Sequence, residues 1–249
     1  MTAIVLAGGR PSIVNPDYPD LPTALIPVSG APFLQWLTLW LKGQGIFDVV
    51  YAGGYMGEKV LAWASQTSSI HPELCLDVVI EARPQGTGGA IALCARRFPD
   101  DYFIILNGDC LLLTNLKAAV AEIKRNRALD GIILGTPLSN AGRFGALDVD
   151  ENGFLKAFRE KRPNDGLINA GIYILRKDII DQIIVDKTSS IESDYFPKWL
   201  DENRKFKVIC SDVPFVDIGT PETLAKAEEL LQSNPEVLMQ IEEKTVAIA

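Results

Sequence analysis

Leu6 to Gly30 reads LAGGRPSIVNPDYPDLPTALIPVSG. Ile4, Val5 and Leu6 form a short apolar run, Gly8-Gly9 interrupts it, and a loop studded with Pro and Asp follows before the next helical pattern. A glycine turn at the end of a strand is where α/β proteins hold phosphate, because bare backbone N–H groups can approach it closely. Yet between Pro11 and Val28 there is neither Lys nor Arg. The segment therefore has the form of a phosphate cradle and lacks the cations that usually accompany one.

Beyond this loop, short apolar, mostly β-branched runs alternate with helical patterns. Strands are predicted at Ala3–Leu6, Val49–Ala52, Val78–Glu81, Phe103–Leu106 and Ile132–Gly135, with helices at Pro32–Lys42, Met56–Ala64, Gly89–Arg97 and Leu116–Asn126. This alternation implies an α/β fold with a mixed, mostly parallel central sheet and helices on both faces. The Phe33–Leu41 segment is apolar nearly all round, so its helix is expected to be buried. The second half changes rhythm. Ala146–Val149, the turn Asp150–Gly153 and Leu155–Phe158 read as a hairpin. Strands at Asn169–Leu175 and Val208–Val213, a helix near Tyr195–Asn203 and a helix opened by Pro221 follow.

The chain has 249 residues, 47% of them hydrophobic, which is enough for one large core. No secretory signal is expected, since Met1 is followed at once by a strand, and no apolar run reaches membrane-spanning length. A cytoplasmic protein is the expectation. The four cysteines, Cys75, Cys94, Cys110 and Cys210, lack C-x-x-C spacing and read as buried reduced thiols. A net charge of −8 argues against nucleic acid. The single histidine, His71, beside Pro72, reads as a surface loop residue, so neither a Ser-His-Asp triad nor a multi-histidine metal site is in view.

Ligands of open α/β sheets bind beyond the carboxyl ends of the strands. Gly8-Gly9, Gly86-Thr87-Gly88-Gly89 and Asn107-Gly108-Asp109 fall there. Asp109, just past a buried strand, has the position of a hard-cation ligand, and equally that of a turn or N-cap residue. Asp217, after Phe215-Val216 and before Ile218-Gly219-Thr220-Pro221, carries the same two readings. No G-x-x-x-x-G-K-[ST] is present. The glycines of Gly53–Gly57 do not have G-x-G-x-x-G spacing, which disfavours an NAD-dependent oxidoreductase.

Taken in order, IVLAGG, IPVSGAPFL, GIFDVVYAGGY, the Gly86–Ile91 turn, the Asn107–Asp109 corner, RFGALDVDENG, Phe158–Lys161, INAGIYIL and FVDIGTPE resemble the sugar-1-phosphate nucleotidylyltransferases. The resemblance is nearest to the heptose-1-phosphate guanylyltransferase and GDP-mannose pyrophosphorylase branch. It runs from Ala3 to about Ala227, and implies a single-domain, Rossmann-like nucleotidyltransferase fold over residues 1–232, with 233–249 as a tail of unassigned role. It also implies transfer of a nucleoside monophosphate from a nucleoside triphosphate to a sugar 1-phosphate. By position, Asp109 and Asp217 would hold Mg²⁺. Leu6, Ala7, Gly8 and Gly9 together with Gln85, Gly86, Thr87 and Gly88 would receive the nucleotide. Gly145, Glu160 and Asn169 would line the sugar pocket, and Lys161 would meet the sugar phosphate. The expected partners are these small molecules, in a possible homo-oligomer, with no nucleic acid and no membrane.

The chain departs from the family pattern, roughly G-x-G-T-R-L then P-K, in the opening loop. By register Pro11 replaces a glycine, Ile13 the arginine and Thr23 the lysine. Pro11 also removes an N–H and fixes φ. Arg10, or Arg83 before Pro84, would then substitute for the missing charge as a catalytic cation, or both are ordinary surface charges. In the second case the chain is a catalytically impaired member serving as a sugar-nucleotide-binding or regulatory subunit.

Overall fold

The computed structural model describes residues 1–10, 18–138, 144–159 and 166–233. In chain order its strands are β1 (Ala3–Leu6), β2 (Pro27–Val28), β3 (Ala31–Pro32), β4 (Asp48–Gly53), β5 (Cys75–Ile80), β6 (Tyr102–Asn107) and β7 (Cys110–Leu112). There follow β8 (Gly131–Leu138), β9 (Ala146–Val149), β10 (Leu155–Arg159), β11 (Gly166–Arg176), β12 (Phe206–Cys210) and β13 (Phe215–Asp217). The helices are α1 (Phe33–Gly43), α2 (Gly57–Ile70), α3 (Gly86–Ala95), α4 (Lys117–Arg125), α5 (Lys177–Ile180), α6 (Phe196–Asp201) and α7 (Pro221–Gln232). The described residues form two compact units, one from 1–4, 83–106 and 114–213, the other from 5–82, 107–113 and 214–233.

In the second of these units β4 lies between β1 and β5 and runs parallel to β5, with Asp48 opposite Cys75 and Gly53 opposite Ile80. That register starts β5 three residues before the expected Val78, because Cys75 N already donates to Phe47 O at 2.9 Å. The apolar helix α1 is buried as its composition requires, Phe33, Leu34, Trp36, Leu37, Leu39, Trp40 and Leu41 all lying in the core. Its one polar core residue, Thr38, donates to Leu34 O at 2.6 Å and meets Tyr51 of β4 at 2.7 Å. α2 continues to Ile70, past the expected Ala64, and in its last turns Ser65 and Ser69 bond their hydroxyls to the carbonyls four residues earlier. Pro72 then bars further helix.

His71 contradicts its expected surface position. It caps α2 with its N–H on Thr67 O, and it is only 3% exposed, its Nδ1 3.5 Å from Glu73. The cysteines divide. Cys94 and Cys110 are buried as expected, whereas Cys75 and Cys210, at an outer strand end in each case, are exposed. All four are free thiols.

In the other unit β11 is the axis. It runs antiparallel to β6 on one side and to β8 on the other, with β9 and β10 continuing as the expected hairpin. β12 adds parallel to β8. An aromatic cluster packs against this sheet: Phe196 contacts Phe158, Tyr173, Trp199 and Phe206 with ring centroids 4.7–5.5 Å apart. β7 and β13 escape the sequence pattern because three residues are too few to show alternation. Among the described residues no helix is long and apolar enough to cross a membrane.

Candidate active site

The end of β1 is where backbone crowding decides residue type. Gly108 N donates to Leu6 O at 3.0 Å, and a Cβ on Gly108 would lie 2.5 Å from that carbonyl oxygen. Gly8 is pressed against the turn after β4, where a Cβ would meet Gly54 N at 2.7 Å. Tyr55 N closes the contact by donating to Gly8 O at 3.2 Å. The turns after β1 and β4 and the Asn107–Asp109 corner are thus locked together by glycine at the strands' carboxyl ends, the location at which such sheets take ligands.

Asp109 and Asp217 belong to the same unit and the structure brings them together. β7 and β13 pair antiparallel with Asp217 opposite Cys110, and Ile218 N donates to Asp109 O at 3.0 Å. Cys110 lies between the two acids. Burial pushes its thiol well up, and the charges of Asp109 and Asp217 push it further, so both carboxylates act on one sulfur. Asp217 Oδ1 is oriented by Gly219 N and by the Thr223 hydroxyl, each at 3.1 Å, just ahead of the capping box that starts α7. Two carboxylates on adjoining strand ends suit a hard cation that takes its remaining oxygens from water and phosphate. Among the described residues no group of three or more His, Cys, Asp or Glu side chains is arranged to hold a metal, so protein donors alone would not complete a coordination shell.

The opening loop has its own fastenings. Thr23 is buried, and both its N–H and its hydroxyl bond Gly9 O, at 3.1 and 3.4 Å. Where the family pattern has a lysine, this chain therefore has a neutral tie on the double-glycine turn. Arg10 is exposed and stacks its guanidinium 5.0 Å above the Tyr55 ring, while the Tyr55 hydroxyl reaches Pro19 O at 3.2 Å. Lys59, in the first turn of α2, bonds Asp20 O. Ile13 and Pro11 lie outside the described residues.

The other unit holds the Gln85–Gly88 turn, and α3 begins at Gly86 rather than at the expected Gly89. Gly86 has φ +70°, and a Cβ there would sit 2.3 Å from Ser189 O. Gly88 N donates to that same carbonyl at 2.9 Å, and Ser189 N returns to Gln85 O at 2.9 Å. Gln85 is buried, with Oε1 accepting from Asp186 N at 2.8 Å. Arg83 is committed nearby, bonding Asp186 O at 3.0 Å with the Asp186 carboxylate at 3.5 Å. Both side chains are exposed, so this is a surface contact that ties Arg83 to Asp186.

Gly145 and Asn169 also meet, Asn169 N donating to Gly145 O at 3.0 Å. Between Asn169 and Ile172 the β11–β8 register skips, so that Gly135 and Leu134 oppose Asn169 and Ile172 in succession. The two extra residues, with Gly171 at φ +70°, bring Asn169 and Tyr173 to neighbouring positions on one face. Asn169 Nδ2 donates to the Tyr173 hydroxyl at 2.6 Å, and that hydroxyl donates to Glu192 Oε1 at 2.8 Å. Glu160 and Lys161, the remaining sugar-side candidates, lie outside the described residues. Sequence reasoning missed Tyr55, Lys59, Tyr173 and Glu192. Tyr173 had one usable signal, its i+4 relation to Asn169 in a strand of period two, which the bulge tightens. Glu192 had none, because its role depends on Tyr173, 19 positions away, and on Thr87, 105 positions away.

Residues 2–234 match the family described as nucleotidyl transferase. D-glycero-α-D-manno-heptose 1-phosphate guanylyltransferase of Aneurinibacillus thermoaerophilus is 30% identical over 93% of this chain and 99% of its own. The enzyme of the same name from Campylobacter jejuni is 31% identical over 89% of this chain and 96% of its own. HddC from Yersinia pseudotuberculosis, in a crystal structure complexed with GMP-PN, superposes with a TM-score of 0.81 at 30% identity, covering 92% of this chain and 99% of that one. With a match running from Thr2 to Asn234 and relatives covered almost end to end, this chain belongs to the nucleotidyl transferase family.

Proposed function

We propose that this protein transfers a nucleoside monophosphate from a nucleoside triphosphate to a sugar 1-phosphate, releasing pyrophosphate. The observation that carries the reading is the meeting of Asp109 and Asp217, where β13 sets Asp217 opposite Cys110 and Ile218 N bonds Asp109 O, beside the glycine-locked ends of β1 and β4. Asp109 and Asp217 would hold Mg²⁺, which when bound supplies positive charge to the triphosphate and the departing pyrophosphate. The sugar phosphate oxygen forms a bond to the α-phosphorus as the bond from that phosphorus to the β-phosphate bridge oxygen breaks. A phosphomonoester is largely dianionic near neutral pH, so the attack needs no general base, and a chain with a single, buried histidine can carry it. What remains for the protein is to orient two anions: Gly8-Gly9 and the Gln85–Gly88 turn for the nucleotide, Gly145, Glu160 and Asn169 for the sugar, Lys161 for its phosphate. Arg10 is the cation nearest the glycine turn in sequence, and Tyr55 holds it from below.

The relatives' names favour guanosine as the base and a heptose 1-phosphate as the acceptor. Residues 1–232 form the transferase domain of a cytoplasmic protein, possible as a homo-oligomer, without nucleic-acid or membrane partners. A second reading, a catalytically impaired sugar-nucleotide-binding subunit, is favoured by Thr23, whose hydroxyl fastens Gly9 where a cation is expected.

Pyrophosphate release across four nucleoside triphosphates and a panel of sugar 1-phosphates, with Mg²⁺ and with EDTA, separates the two. Turnover with one preferred pair, abolished by EDTA while the melting temperature holds, supports the enzyme. Tight binding of a nucleotide sugar with background turnover supports the subunit, and neither activity nor binding rejects both.

A further inference from the structure

Glu192 lies in the first turn of a short π-helical segment, Ile191–Tyr195, and is the end point of three hydrogen-bond chains. Its Oε1 accepts from Tyr173 at 2.8 Å, and its Oε2 accepts from Ser190 at 3.0 Å and from Thr87 at 3.2 Å. Each of these hydroxyls also receives a hydrogen from nitrogen. Asn169 Nδ2 donates to Tyr173 at 2.6 Å, Ile191 N to Thr87 at 2.8 Å and Ser193 N to Ser190 at 3.2 Å. A hydroxyl has one hydrogen, so accepting from N–H and giving that hydrogen to a carboxylate leaves no choice of direction. All three chains converge on one acceptor, and only a group that accepts at both oxygens and donates at neither can close them.

The direction matters at the far ends. Asn169 Oδ1 accepts from Gly171 N at 3.0 Å, which fixes which end of the amide is oxygen. One Nδ2 hydrogen goes to Tyr173, and the other is the donor that the amide can offer a ligand. Thr87, in the first turn of α3, is the far end of another chain.

We propose that Glu192 is a positioning residue that sets, through Tyr173, the donor orientation of Asn169 toward an oxygen of the sugar phosphate substrate and, directly, the rotamer of Thr87 in the nucleotide turn. The assignment of substrates rests on the reading above; the hydrogen-bond directions do not. Glu192→Gln keeps the shape and puts an N–H₂ where an acceptor is needed. If the N–H₂ faces Tyr173, the phenol hydrogen loses its acceptor; if it faces Thr87 and Ser190, both of theirs do.

The test has two parts. In ¹H–¹⁵N spectra the Asn169 side-chain amide should show one slowly exchanging hydrogen, lost in Tyr173→Phe and exchanging faster in Glu192→Gln with the fold and melting temperature kept. In steady-state kinetics Glu192→Gln should raise KM for both the sugar 1-phosphate and the nucleoside triphosphate, by about tenfold for the former, while Tyr173→Phe raises only the sugar phosphate KM. Glu192→Asp, an acceptor-only side chain, should recover part of the loss. An Asn169 amide unmoved in Glu192→Gln overturns the proposal, as do unchanged KM values in an active enzyme. A wild type that turns over no pair overturns the substrate reading instead, and the spectra still decide the role of Glu192.

Discussion

Thr23 shows how one side chain can change what a loop does. Its buried hydroxyl and N–H both hold Gly9 O, so replacing it with Lys removes a hydrogen bond from the turn and places an ammonium at a site that is 7% exposed. Thr23→Lys alone should therefore lower stability, by about 1–2 kcal/mol, without raising turnover. Arg10 stands on Tyr55 and keeps its charge toward solvent. If it is the working cation, Arg10→Ala should cut kcat by about a hundredfold or more, and Arg10→Lys, which cannot stack or fork in the same way, should recover little. Pyrophosphate release by the two variants checks this, and a turnover indifferent to Arg10→Ala would point to Lys59, which bonds the same loop at Asp20. Asp109→Asn should likewise cost several orders of magnitude in kcat while shifting the melting temperature by only a few degrees. Equal damage to both would make Asp109 a turn residue.

At the scale of elements, the Gln85–Gly88 turn shows which constraints a sequence reveals. Gly86 combines φ +70° with a Cβ position 2.3 Å from Ser189 O, so Gly86→Ala must move backbone, not side chain. The expected outcome is a loss of about 2–4 kcal/mol and a weaker nucleotide KM, because the turn and the 186–189 segment shift together. Urea melts and nucleotide titration check the two halves. The α/β alternation, the buried α1, the β9–β10 hairpin and the Pro221 helix start were all legible, because period, turn chemistry and proline rules are local. The meeting of Asp109 with Asp217 was legible only through family resemblance, since it depends on β7 and β13, two strands of three residues 103 positions apart at their closest. The bulge at Asn169 was hidden for a related reason. Ala170-Gly171 looks like ordinary strand until β8 supplies the register. His71 went wrong because a polar neighbourhood in sequence says nothing about what a helix end packs against.

The whole molecule carries −8 and binds, on the reading above, two anions, so its pH limits are informative about which charges the fold itself needs. On the acid side stands Asp100. Burial would raise its carboxyl, but the Thr2 hydroxyl at 2.6 Å and the amino terminus at 3.0 Å outweigh it and hold the group below its ordinary 3.8. A depressed carboxyl stabilises above its unfolded value and loses that contribution as pH falls through the folded one, so Asp100→Asn should lower the melting temperature at pH 7 and converge on wild type once the pH has fallen far enough to protonate the folded carboxyl. On the alkaline side stands Tyr51. Complete burial pushes its phenol well above the ordinary 10.0, only partly offset by the bond to Thr38. Here the folded state keeps a proton that the unfolded chain releases, so stability is intact below pH 10 and falls as pH rises beyond it, by about 1.4 kcal/mol per unit from this one group. Tyr51→Phe removes both the Thr38 bond and the titration. It should be less stable than wild type by about 1 kcal/mol at pH 7, yet should close that gap near pH 11 and exceed wild type above it. Guanidinium melts of the two proteins from pH 7 to 11.5 decide the matter. Parallel curves would mean that water or a backbone shift relieves the phenolate, and that the packing of α1 against β4 is looser than the contact between Thr38 and Tyr51 implies.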